Sequence, residues 1–134
     1  MELEEINNEF LPHKESLLLK QIGFNKPCLF VYSEKGERSP FRNFFVCNSN
    51  VPSYATGPTY RQAFKWFREN YKLHSYILMD EMNSKLFRYT IQEGGNELFE
   101  LNWVTHEEAE LACINKLIEI ITLQQKNETE SSKS

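Results

Sequence analysis

Four cations, Arg61, Lys65, Arg68 and Lys72, recur at i, i+4, i+7 and i+11, the spacing that lays side chains along one face of an α-helix. Trp66 borders that face, and Glu69 is the acid that accompanies it. An indole beside guanidinium and ammonium groups contacts phosphate and stacks on bases, or anchors a protein interface. The same spacing also describes an ordinary solvated helix face with Trp66 tucked into the core edge. Read as an interface, Arg61, Lys65, Trp66, Arg68 and Lys72 are the candidate partner-binding residues. The whole chain carries 15 basic against 19 acidic residues, a net charge of -4. A segment near its end holds Glu107, Glu108, Glu110 and Glu119. That balance repels a long polyanion, so a protein partner ranks ahead of nucleic acid. The acidic and basic segments also complement each other, which admits pairing of two copies as a dimer.

Other chemistry has less to stand on. His13, His74 and His106 fall in three separate segments without the spacing of a zinc site. Cys28, Cys47 and Cys113 are odd in number, form no C-x-x-C pair and sit in apolar runs. Such surroundings raise a thiol's pKa and suit reduced, buried cysteines better than a nucleophile or a disulfide. Walker, G-x-G-x-x-G and G-x-S-x-G patterns are absent, and Gly94-Gly95 reads as turn chemistry. Asp80 and Glu81 are adjacent on a predicted strand and so point to opposite faces, while Glu97 and Glu100 lie on another. No catalytic, cofactor or metal set is therefore assigned. A small hydrolase whose carboxylates meet only in three dimensions is the weakest reading kept.

The elements that would position these residues follow from periodicity. Leu11 to Gly23 suits a short amphipathic helix ended by a left-handed glycine. Cys28–Tyr32 reads as a strand buried on both faces, Ser33 to Pro40 as a polar turn, and Phe41 to Cys47 as its hairpin partner. Asn48 to Pro58 reads as an exposed connection. Thr59 to Lys72 predicts a helix in which Thr59 and Gln62 form a capping box and Tyr60, Ala63, Phe64, Phe67 and Tyr71 form an apolar stripe meant for a sheet. Ser75–Met82 and Lys85–Gln92 form a hairpin about Asn83-Ser84, and Leu98–Val104 adds a third strand. Thr105 and Glu108 cap a long amphipathic helix through Ala109, Cys113, Leu117, Ile120 and Ile121. Beyond Leu123 the chain is wholly polar and has nothing to bury.

Three segments carry a resemblance: Gln21-Ile-Gly-Phe-Asn-Lys-Pro-Cys28, the stretch from Pro58 to Tyr71, and that from His106 to Glu119. Together they resemble small uncharacterised proteins encoded by gut bacteria and their phages and prophages, over about Leu17 to Ile121. The resemblance implies a phage or mobile-element origin and brings no assigned activity or functional residue with it.

Composition bounds the rest. With 134 residues, 40% hydrophobic and 13% aromatic, the chain is long enough for one buried core and far from a disordered composition. An acidic start without an apolar leader, and no apolar run near the roughly 20 residues of a membrane span, point to the cytoplasm. The expectation is an α+β fold with an antiparallel sheet of about four to five strands, two main helices packed on it and a short N-terminal helix. Residues 1–123 form a single domain and 124–134 a disordered polar tail. The function expected is that of a non-enzymatic phage or mobile-element accessory protein. It would act without a cofactor by binding another protein, a host factor or a second copy, with a nucleic-acid-binding module as the alternative.

Overall fold

The computed structural model of the chain describes residues 9–40, 46–82 and 85–132. Among the described residues it is α+β, with two antiparallel three-stranded sheets. Compact packing divides it into two units, Met1–Tyr60 with Ile120–Ser134, and Arg61–Glu119. Among the described residues, no helix is long and apolar enough to cross a membrane.

The first unit opens with α1 (His13–Gln21), entered through Pro12, whose missing N–H costs nothing at a helix start. Its end has the geometry expected of a glycine stop. Gly23 adopts φ 109°, its N–H donates to Lys20 O at 3.1 Å, and Phe24 N–H donates to Leu19 O at 2.9 Å. This is the paired-bond Schellman end, with Leu19 and Phe24 both buried as its hydrophobic partners. α1 lies against β3 (Ala55–Gly57). The sheet order places β1 (Phe30–Tyr32) between β2 (Arg38–Pro40) and β3.

Two features of this sheet differ from the sequence reading. The hairpin partner of β1 is β2, drawn from the segment read as a polar turn. Of the expected partner, residues 41–45 lie outside the described ones, and Val46 bonds Cys28 in an isolated bridge. The stretch from Asn48 to Pro58 is also not merely an exposed connection. It forms a 3-10 turn, Asn48–Asn50, and then β3, whose residues are all buried. Asn48 is the reason: buried itself, it donates to Phe24 O at 2.7 Å and accepts from Thr56 N–H at 2.9 Å. One amide thereby satisfies two backbone groups that burial would otherwise strand.

In the second unit α2 (Tyr60–Tyr71) is followed by a meander of β4 (Leu73–Met79), β5 (Phe87–Glu93) and β6 (Asn96–Trp103). The step at residues 83–84 lies outside the described ones. Tyr60, Ala63 and Phe67 of the apolar stripe are buried and Phe64 and Tyr71 half-buried. Along β4, Leu73 is buried, Ser75 and Ile77 half-buried, and His74, Tyr76 and Leu78 exposed, the period-two alternation of a sheet with one wet face. α3 (His106–Ser132) begins at Thr105, whose Oγ1 accepts from Glu108 N–H at 3.1 Å. Glu108 returns its bond to Val104 N–H at 3.2 Å, one residue before the position a standard capping box would use.

The expected single sheet is thus two sheets of three, because β1, β2 and β3 pair among themselves and β4, β5 and β6 do the same. α3 also continues through Ser132, past Leu123, where composition alone points to a frayed tail. Elongating a formed helix costs little per residue, and the Gln125 side chain secures this stretch by donating to Ile22 O at 2.9 Å.

Candidate interaction surface

α2 positions the cations as their spacing requires. Arg61, Lys65 and Arg68 are exposed along the helix, and Lys72 is exposed immediately after its last residue. Lys72 has φ 57°, the left-handed conformation that ends a helix and is normally given to glycine. Lys65 Nζ stands 3.6 Å from Glu69 Oε1, with both side chains more than half exposed. A pair of that kind contributes about 0.3–0.5 kcal/mol and leaves the local charge largely open to solvent. Among the described residues, Arg61, Arg68 and Lys72 have no ion pair with an acid.

Trp66 sits differently from the cations. It is only 6% exposed and packs edge-on against Phe67 and Tyr71, at centroid distances of 5.1 and 5.3 Å. Its backbone carbonyl accepts from the Asn70 side chain at 3.0 Å. The indole therefore stiffens the helix beneath the cations and does not present a ring face to solvent.

The remaining chemistry-bearing groups are dispersed. Among the described residues no group of three His, Cys, Asp or Glu side chains lies close enough to hold a metal. His106 Nδ1 lies 3.3 Å from Glu110 Oε1 at the start of α3. Burial pushes the Glu110 carboxyl up, against the opposing pull of His106. Burial also raises the Cys28 thiol to about 11, against the lowering influence of the nearby Thr56 side chain, and the Cys113 thiol to about 12, against that of Ser75. Thiols so protonated are poor nucleophiles. The Tyr89 hydroxyl is likewise pushed up, first by burial and then by its hydrogen bond to Glu100.

Sequence reasoning gave no sign of a groove of about 400 Å³ in the first unit, lined by His13, Leu17, Lys20, Tyr32, Pro52 and Tyr54 among others. Its walls come from three separated segments. Lys20 is one of its lining residues and donates from Nζ to the carbonyls of Val51 at 3.0 Å, Pro52 at 2.9 Å and Tyr54. All three ammonium protons have acceptors, so this cation is structural and unavailable to a ligand.

No protein-family model, curated protein or solved structure matches the chain.

Proposed function

We propose that the chain is a non-enzymatic accessory protein of phage or mobile-element origin, acting in the cytoplasm by binding an acidic surface on another protein. The partner is a host factor or a second copy of the chain. Arg61, Lys65, Arg68 and Lys72 form the contact, with Trp66 holding the helix rigid behind them. One observation carries the reading: Arg61, Arg68 and Lys72 are exposed and lack an acidic partner among the described residues, in a chain with four more acids than bases. Held charge of this kind steers encounter and fixes register more than it adds raw affinity.

A nucleic-acid-binding module using the same face is the second reading. Burial of Trp66 favours the protein partner, because sequence-tolerant binding of single strands draws much of its energy from open aromatic faces. A small hydrolase is the weakest. A carboxylate and a histidine adjoin at His106 and Glu110, and the groove in the first unit is lined by both His13 and Glu34.

The test is a pulldown from host lysate, followed by titration of the captured protein and of a single-stranded oligonucleotide at two salt concentrations. A protein captured by the wild-type chain, with an oligonucleotide affinity that is weak at both salts, supports the proposal. Tight oligonucleotide binding that falls steeply with salt would mark phosphate neutralisation and move the assignment to nucleic acid.

A further inference from the structure

β4 is an outer strand of the second sheet, and its sequence does nothing to guard it. Over Leu73–Met79 it has no charged residue, proline or glycine, and its ladder with β5 runs in unbroken register. The opposite edge is treated otherwise. β6 carries Glu97 and Glu100, and the ladder that joins it to β5 slips between Phe87 and Tyr89. Charge and bulges are the devices by which sheets prevent edge-to-edge pairing, so among the described residues one edge is guarded and the other is not.

The phase of the ladder says which backbone groups are open. Asp80 N–H donates to Leu86 O at 2.9 Å, one step beyond the Met79 to Phe87 pair. In an antiparallel pair the N–H and C=O of one residue point the same way and those of the next point oppositely. Even-numbered positions of β4 therefore bond β5, and Leu73, Ser75, Ile77 and Met79 turn their backbone groups to the outer edge, where no described strand pairs with them. The side chains of His74, Tyr76 and Leu78 share one face, with Tyr76 49% and Leu78 43% exposed.

We propose that β4 pairs antiparallel with β4 of a second copy about a two-fold axis at Tyr76, joining two three-stranded sheets into one. That register sets Ser75 opposite the partner's Ile77 and Leu73 opposite the partner's Met79, so outward-turned groups meet outward-turned groups. Tyr76 faces the partner's Tyr76, and Leu78 lies beside it on the same face. At both ends Lys72 comes opposite the partner's Asp80, an opposite-charge pair whose members have no ion pair within their own chain among the described residues. A slip of one residue turns the apolar face to the wrong side, and a slip of two breaks both charge pairs. The interface is isologous, so association stops at the dimer. This pairing rests on β4 and not on the cationic face of α2, with Lys72 common to both.

Sedimentation velocity on the full chain, from about 1 to about 100 µM, tests it. The wild type shows a concentration-dependent dimer. Tyr76→Lys sets two ammonium groups opposite each other and raises the dissociation constant by about tenfold or more, with the far-UV spectrum unchanged. Lys72→Asp alone and Asp80→Lys alone each weaken the dimer, and the K72D/D80K double variant restores it to within about threefold of wild type. A monomer throughout, a dimer indifferent to Tyr76→Lys, or a double variant no tighter than the singles overturns the pairing.

Discussion

A Cβ at Gly57 would stand 2.8 Å from Cε2 of Tyr32, closer than side-chain atoms approach without displacement. The ring has no room to yield. Its hydroxyl donates to Leu11 O at 2.6 Å and accepts from Arg38 Nη2 at 2.6 Å, and the Arg38 guanidinium lies 5.3 Å from its centroid. Gly57→Ala should therefore destabilise the chain by about 1–3 kcal/mol, seen as a lower urea midpoint. Gly95→Ala is the control: a Cβ there meets nothing within 4 Å, and the change should stay within about 0.5 kcal/mol. Equal effects at the two glycines would refute the clash.

Lys72 closes α2 with a positive φ that costs a side-chain-bearing residue about 1–2 kcal/mol. Glycine removes that strain and returns part of the gain through the greater entropy of its unfolded chain. Lys72→Gly should thus raise stability by roughly 0.5–1 kcal/mol in thermal or urea unfolding. Loss of stability would mean that the Lys72 side chain contributes more than its backbone conformation costs.

Lys20 fastens α1 to the turn that precedes β3 through three carbonyl acceptors. Lys20→Met keeps the stem and deletes the donors, with an expected loss of roughly 1–2 kcal/mol after allowance for the exposed part of the site. Faster amide exchange confined at first to residues 51–57 would accompany it. Unchanged stability and exchange would show that water replaces the ammonium without penalty.

Stability should decline in alkali. Cys28 and Cys113 keep their protons in the folded chain to about 11 and about 12, whereas an unhindered thiol ionises near 9.0. The unfolded chain therefore binds fewer protons above that pH. Stability is full below pH 9.0 and falls as pH climbs toward the folded values. The urea midpoint should decrease steadily over this window, and half-buried Cys47 should react with a thiol reagent before the other two. A midpoint that is level or rises would contradict the assignment.

What could be read from the sequence depended on how local the signal was. Tyr60, Ala63 and Phe67 fall at helical spacing and disclose α2, and the strand-like runs Ser75–Met82, Lys85–Gln92 and Leu98–Val104 with the turn residues between them disclose the meander, because each pattern is complete within one short segment. β2 and β3 are three residues each, and Ala55 and Gly57, two of the three residues of β3, are of types depleted in strands. They become strands because β1 lies between them and Asn48 satisfies the approach, neither of which is written in their immediate sequence. The division into two sheets was hidden for the same reason. Of the candidate site, the cations were legible from spacing alone. Spacing left Trp66 open between an interface anchor and the core edge, since a residue at the border of a stripe goes to whichever side has aromatic partners, here Phe67 and Tyr71. The groove around Tyr32 and Tyr54 draws on distant segments and left no trace in any window.

The central claim is tested most directly by reversing the open charges on α2. Arg61→Glu with Arg68→Glu should leave the far-UV spectrum and urea midpoint within about 0.5 kcal/mol of wild type, because both side chains are exposed. Titrated against the captured partner, the same variant should bind at least about a hundredfold more weakly, since each reversal sets an acid against an acidic surface. Wild-type affinity in that folded double variant would contradict the account.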